Sequence, residues 1–178
     1  MAILRSGAIL VAQPELLEAH FVRSIIYLLE HHAGGSMGVI INRPLPMGLG
    51  TVWEDCPKSL KDSCLVAAGG PVDMHKGLLL HRFHGIPEAF PVAQDIAIGG
   101  QSEALRERLA KVQSAQTRPL RLFLGHAGWA PGQLAEEVHL GTWIVRSGHA
   151  HLLMDSAPDE DLWEQLLRIG ESPPPSLN

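Results

Sequence analysis

The sequence predicts an α+β fold built on a mixed or largely antiparallel sheet. Short apolar runs outnumber helical patterns, some of them are paired by glycine-containing turns, and most clear helical patterns fall late in the chain. With 178 residues, of which 46% are hydrophobic, one domain with a substantial core accounts for the chain. We expect this domain to cover residues 1–170 and the proline-rich segment 171–178 to form a disordered tail.

In the first half of the chain, apolar runs predict strands at 8–12, 24–31, 37–42, 65–68 and 77–82. The second and third runs are separated by two adjacent glycines, which is typical of a hairpin. The pattern predicts a turn or short helix at 15–20, a loop at 45–48 and a short helix at 49–56 that ends before Pro57. Gly69-Gly-Pro71 predicts a tight turn.

In the second half, residues 84–100 are rich in glycine and proline, which predicts a loop with one short strand. Apolar spacing then predicts helices at 102–112, 132–139 and 158–169, and strands at 118–124 and 142–145. Ser102 is a suitable N-cap for the first of these helices.

The segment Gly125-His-Ala-Gly-Trp-Ala-Pro-Gly-Gln-Leu134 predicts a glycine-rich loop between a strand and a helix that opens at Pro131. Free backbone N–H groups and a positive helix end in one place favour an anion. Alternatively, the glycines only let the backbone turn while Trp129 packs, and the spacing matches no known phosphate fingerprint. We also expect Gly128 to lie at a tight approach between strand and helix, where a β-branched side chain would clash.

Composition excludes several classes of protein. The formal net charge is −5, with 14 Lys and Arg against 19 Asp and Glu, which argues against tight non-specific binding of nucleic acid. No apolar run is long enough to span a membrane and no secretory signal is evident. Cys56 and Cys64 are expected to be reduced thiols, which suits a cytoplasmic protein. We expect no cofactor and no metal: the two cysteines lack ligand spacing, and among the ten histidines His149 and His151 could chelate a metal if that segment is extended, but scattered surface histidines explain the pattern as well.

A nucleophile pattern occurs once but in the wrong context. Gly34-Gly-Ser-Met-Gly38 matches G-x-S-x-G, which requires a strand before the serine and a helix after it. Here strand patterns lie on both sides, so Ser36 is expected in a hairpin turn. No clear nucleophile, general base or metal centre is found, so we predict no catalytic residues.

Polar residues that end two apolar strands form the candidate ligand site together with the glycine-rich loop. Its members are Asn42, Arg43, His81, Arg82, Gly125, Gly128, Trp129 and Gly132. Arginine forks suit carboxylate or phosphate, so the set predicts a small anionic ligand if the strand ends converge. The alternative is that Arg43 and Arg82 pair with acids such as Glu30 or Glu136 and lock loops.

Four blocks of residues lie in order between about residues 8 and 170. They are Pro14 with Phe21, Arg23, Ser24, Glu30 and His31; Gly38-Val-Ile-Ile-Asn-Arg-Pro44; Gly69-Gly-Pro-Val72 with Gly77 and Leu80-His-Arg82; and Gly125 to Leu134 with Glu136, Glu137, Trp143 and Asp161-Leu-Trp163. In this order they resemble the YqgE/AlgH family of bacterial proteins. The resemblance implies one compact, partly curled sheet with helices around it. One branch of that family is linked to transcriptional regulation of exopolysaccharide synthesis, and its biochemical activity is largely undefined.

Three functions are therefore compatible with the sequence. The first is a non-enzymatic regulatory or binding protein, for example a transcriptional regulator that acts through a protein partner or a bound ligand. The second is a sensor of a small anionic molecule, or an enzyme, that uses a pocket near Arg43, Arg82 and residues 125–131. The third is a structural interaction module, which would need neither a ligand nor a cavity.

Overall fold

The computed structural model describes residues 2–61, 65–93, 95–112, 119–148, 150–154 and 160–169. One compact domain is dominated by a curled antiparallel sheet, a half-barrel, in which the helices are minor. The strands are β1 (Ile9–Ala12), β2 (Ile25–His32), β3 (Gly35–Ile40), β4 (Pro44–Gly48), β5 (Leu65–Ala68), β6 (Val72–His81), β7 (Ala89–Ala93), β8 (Ile96–Gly99), β9 (Leu120–Trp129) and β10 (Trp143–Arg146). The helices are α1 (Ser102–Ala110), α2 (Gln133–His139), α3 (Ala150–Met154) and α4 (Glu160–Arg168).

The strand order along the sheet is β10-β1-β2-β3-β9-β6-β8-β7, and every neighbouring pair in it is antiparallel. Strand β4 pairs with β5, and β5 adds a parallel pairing with β9. Strand β9 is therefore the centre of the fold. Its first half pairs with β5 and β6, and its last three residues pair with β3.

Both faces of the β2 region of the sheet are buried, which explains its continuous apolar sequence. Tyr27 lies on one face, in a cluster that also contains Phe123 and Trp163. Ile26 lies on the other face, in a cluster with Trp129. Tyr27 is fully buried, and burial raises the pKa of its hydroxyl to about 12. Two layers of side chains thus hold this part of the sheet.

Several predicted elements are confirmed, including the β2–β3 hairpin, β5, α1, α2 and α4. Others are corrected. The loop predicted at 45–48 is strand β4, which tolerates prolines because it lies at the edge of the sheet and, among the described strands, pairs with β5 alone. Residues 84–100 hold two strands, β7 and β8, and Pro91 again lies on the outer strand. The helix predicted at 49–56 is reduced to a 3-10 turn, Leu49–Thr51.

Two further sequence predictions concern ends of elements. The N-cap of α1 is Gln101 rather than Ser102, and it makes no side-chain capping hydrogen bond. The predicted tail, 171–178, lies outside the described residues. In the part of the chain that the structure describes, no helix is both long and apolar enough to cross a membrane.

The largest correction concerns the glycine-rich segment that was predicted to form a loop. Strand β9 continues through it to Trp129, and it is bent where Gly125 adopts a φ of 73°. The Gly69-Gly70 connection between β5 and β6, which is not assigned as the predicted tight turn, packs its backbone directly against this bend. A Cβ on Gly69 would lie closer than 3.0 Å to the carbonyl oxygen of Gly125. The glycines of both motifs therefore serve one close approach of two backbones.

Candidate functional site

The structure does not gather the predicted anion site into one place. The backbone N–H of Arg82 donates to the carbonyl of Pro119 (3.4 Å), beside the start of β9. Gly125 lies six residues further along that strand, or about 20 Å at about 3.3 Å per residue. An arginine side chain is too short to span this distance, so Arg82 and the Gly125 bend do not share a ligand.

His81 is buried and has partners on both ring nitrogens. The Phe83 backbone N–H donates to Nδ1 (3.1 Å), so the ring proton lies on Nε2 and is donated to the carbonyl of Gly99 (2.9 Å). Burial lowers the pKa of His81, although the Gly99 hydrogen bond opposes this shift. The neutral ring therefore joins β6 to β8 and has no free nitrogen for a ligand.

Asn42 and Arg43 hold the loop formed by residues 13–24. The Asn42 side chain accepts a hydrogen bond from the Ile25 backbone N–H (2.9 Å) and donates one to the carbonyl of Arg23 (3.0 Å). Arg43 donates to the carbonyls of Val22 and Asn42, and its partial burial lowers its pKa. In these contacts the acceptors are backbone oxygens rather than the acids of the alternative interpretation. We call the two residues the Asn-Arg clamp.

A cavity of about 340 Å³ opens where the clamped loop meets β9, α2 and β10. Its walls include Phe21, Gly128, Trp129, Gln133, Glu137 and Trp143. We call it the Glu137 pocket. Gly128 and Trp129 are the members of the predicted set that line it. Gly132 instead precedes α2, where a φ of 77° favours glycine.

Glu137 is fixed by three hydrogen bonds from its neighbours. The indole N–H groups of Trp129 and Trp143 both donate to Oε2, at 3.0 and 2.8 Å. The amide of Gln133, one helical turn earlier, donates to Oε1 at 2.8 Å. Gln133 in turn accepts the backbone N–H of Ala130 (3.0 Å), which ties the start of α2 to the end of β9.

Aromatic rings meet nearly at right angles beside this carboxylate. The ring centroids of Trp129 and Trp143 are 6.1 Å apart at 81°, and those of Phe21 and Trp143 are 5.9 Å apart at 79°. These edge-to-face contacts hold the rings in place. Phe21, Glu137 and Trp143 belong to the blocks that resemble the family, but the sequence predicts no site role for them. The signal in the sequence that could have indicated this site is the pair of tryptophans on either side of an acidic helix.

Gly128 is not crowded, so the tight approach expected there is wrong. A Cβ on Gly128 would meet no atom within 4 Å. The crowding lies at Gly125 and Gly69, where the two backbones touch. Gly128 lines the pocket and leaves part of its wall open.

One contact outside the pocket joins a nucleophile to a base. The Ser36 hydroxyl lies 2.7 Å from Nδ1 of His31. These residues are directly opposite each other in the β2–β3 hairpin. Ser36 was predicted to lie in the hairpin turn, but it lies in strand β3, because the turn is formed by residues 33–34. Their contact is therefore first of all a cross-strand pair.

The AlgH-like family model matches residues 9–173. A UPF0301 protein of Streptomyces coelicolor is 35% identical over 169 residues, which cover 92% of this chain and 85% of that protein. A UPF0301 protein of Bacteroides fragilis is 32% identical over 161 residues, covering 90% and 80%. The solution structure of the AlgH protein from Pseudomonas aeruginosa is similar with a TM-score of 0.71 and 26% identity, covering 94% of this chain and 89% of that one. A crystal structure of a Corynebacterium diphtheriae protein has a TM-score of 0.75 at 24% identity, covering 97% and 90%.

Proposed function

The chain belongs to the AlgH-like family, and we propose that it is a non-enzymatic binding protein with a regulatory role in the cytoplasm. Its ligand, or a side chain of its protein partner, enters the Glu137 pocket. The regulatory part of the proposal is supported by the resemblance to a family with one branch linked to transcriptional regulation. The net charge of −5 favours action through a partner over direct contact with DNA.

The observation that carries this proposal is the rigid construction of the pocket. Ligand sites are commonly cavities of about 300–1,000 Å³ with a few fixed polar groups among apolar walls. The Glu137 pocket has this volume, and its carboxylate is held by Trp129, Trp143 and Gln133. Because these groups are already ordered, a ligand pays little conformational entropy to bind them.

The Asn-Arg clamp supports the same function from outside the pocket. It fixes the backbone of Arg23 and Val22, directly after Phe21. Phe21 then packs edge-on against Trp143 and forms one wall. In this proposal Asn42 and Arg43 position the loop that carries Phe21 and do not contact the ligand. The ligand contacts the aromatic wall of the pocket.

The test is a ligand screen read by tryptophan indole N–H signals in ¹H–¹⁵N spectra. The chain has four tryptophans, of which Trp129 and Trp143 line the pocket. We expect amines, acids or nucleotides that bind to shift these two signals, while the signals of Trp53 and Trp163 stay in place. In a Gly128→Leu variant, the added side chain enters free space at the pocket wall and should abolish the shift. A ligand that shifts all four signals, or that binds the variant equally well, contradicts the proposal.

A second candidate function is supported by the Ser36–His31 contact. A serine and a histidine within hydrogen-bond distance can act as nucleophile and base in acyl transfer. Such pairs are usually completed by a third group that orients the histidine, and the described hydrogen bonds of His31 include only the one to Ser36. A fluorophosphonate probe distinguishes the two functions. We expect no labelling, whereas labelling that disappears in Ser36→Ala would establish a hydrolase.

A further inference from the structure

We infer that the Glu137 pocket recognises an organic cation, an ammonium or guanidinium group. This inference rests on the proposed function and specifies its ligand class. The first reason is the charge of the lining. The ionisable side chains among the described residues that line the pocket are both carboxylates, Glu18 and Glu137. No lysine, arginine or histidine occurs among those lining residues to neutralise them.

The second reason is the direction of the hydrogen bonds. An anion would need N–H donors that point into the cavity. The side-chain N–H groups of Trp129 and Trp143 both point at Glu137, and an amide N–H of Gln133 does the same. These donors are already engaged, whereas a carboxylate has about four acceptor positions on its two oxygens. Oε1 receives one of the three bonds described, so the pocket has acceptor capacity left over.

The third reason is the arrangement of the rings. The ring of Trp143 lies nearly perpendicular to those of Phe21 and Trp129, so the walls form a corner rather than a slot. Aromatic rings beside a carboxylate suit organic cations, because the electron-rich ring attracts positive charge and the apolar edges accept the alkyl groups. Both tryptophans are largely buried, so we expect the carboxylate to provide most of the selectivity and Phe21 most of the accessible ring surface.

Such a cation can be a free small molecule or an arginine side chain of a protein partner. Two matched pairs of probes separate these sources. Choline is compared with 3,3-dimethyl-1-butanol, which has its shape without the charge. N-acetyl-arginine amide is compared with N-acetyl-citrulline amide, which replaces the guanidinium by neutral urea. Each probe is titrated into the full chain to about 10 mM, which is about ten times a Kd of about 1 mM, and the four indole signals are followed.

We expect the cationic member of at least one pair to bind about tenfold or more tightly than its neutral partner, with shifts confined to Trp129 and Trp143. Glu137→Gln should remove this preference, because it keeps the shape of the side chain and removes its charge. Glu136→Gln is the matched control, since it makes the same change on the same helix outside the pocket and should leave the preference intact.

Equal binding of both members of each pair, abolished by Gly128→Leu, would overturn the cation inference and leave the pocket function standing. If none of the four probes shifts an indole signal, the cation inference is also overturned. The wider ligand screen then tests the pocket function separately. Cation binding that survives Glu137→Gln would show that the carboxylate is not the recognition group, which again contradicts the inference.

Discussion

Replacing Gly69 by alanine should destabilise the protein far more than the same replacement at Gly128. A Cβ on Gly69 would lie closer than 3.0 Å to the carbonyl oxygen of Gly125 and 3.1 Å from the Cβ of Phe123. The first of these atoms belongs to the backbone of β9, so it cannot turn aside as a flexible side chain can. The two chain segments must therefore move apart.

The size of the effect follows from what this movement strains. Overpacking alone typically costs about 1–3 kcal/mol. Gly69 also donates a hydrogen bond to Leu124 (2.7 Å) and accepts one from Ile40 (2.8 Å), and each such bond contributes about 0.5–1.5 kcal/mol net. We expect a loss of about 3 kcal/mol in the free energy of unfolding, which lowers Tm by roughly 6–12 °C in a domain of this size.

Gly128→Ala is the matched control. Its Cβ meets no atom within 4 Å, and its φ lies outside the left-handed region. Alanine restricts the unfolded chain more than glycine does, so we expect no loss, or a gain of about 0.5 kcal/mol. Urea unfolding followed by far-UV circular dichroism measures both variants. If the two free energies of unfolding agree within about 0.5 kcal/mol, the limit to which independent effects are usually resolved, the close approach at Gly69 is refuted.

Three further predictions concern other parts of the molecule. His81 should titrate below its ordinary pKa of about 6.5 in an NMR titration, because burial lowers its pKa. The unfolded chain then binds the proton first, so His81 makes the free energy of unfolding fall as pH drops below about 6.5, by at most about 1.4 kcal/mol per pH unit; an ordinary pKa would contradict this. Asn42→Ala should cost about 1–3 kcal/mol by leaving two backbone groups unpaired, and hydrogen exchange should quicken first at 22–25; uniform quickening would count against the clamp. Random duplex DNA should not bind at submicromolar concentrations in about 0.15 M salt, given the acidic balance; a fluorescence-anisotropy titration checks this.

The sequence predicted well where local pattern and tertiary environment agree. The β2–β3 hairpin was found because apolar runs flank adjacent glycines, and its centre is buried on both faces. Strand β9 was cut short because glycine is read as a local turn signal. Gly125 and Gly69 are glycines because two distant segments touch, and one sequence does not show which segments those are.

The residues of the predicted anion site lie in several parts of the fold. Arg43 and Arg82 both follow strands, and the inference that they converge required a strand order that cannot be read from local sequence. In the structure, β6 and β9 are antiparallel, so Arg82 lies beside Pro119 and far from the Gly125 bend. Gly128 and Trp129 line the cavity. Glu137 has no role in the predicted site, although Trp129, Gln133 and Trp143 lie within eight residues of it, because the convergence of their N–H groups on one carboxylate depends on the fold.

The central position of β9 also bears on how the chain folds as it is synthesised. This strand is made after residue 119, yet it supplies pairing partners for β3, β5 and β6. The pairing of strand β1 is completed later still, because Ile9 pairs with Arg146 in β10. Most strands of the sheet are therefore synthesised before its central strand, and we expect slow, cooperative folding in which the sheet is completed only after β9 and β10 have been made. The β2–β3 hairpin can form early, but the edges of β3, β5 and β6 that pair with β9 stay open until β9 is made, and unpaired strand edges favour aggregation.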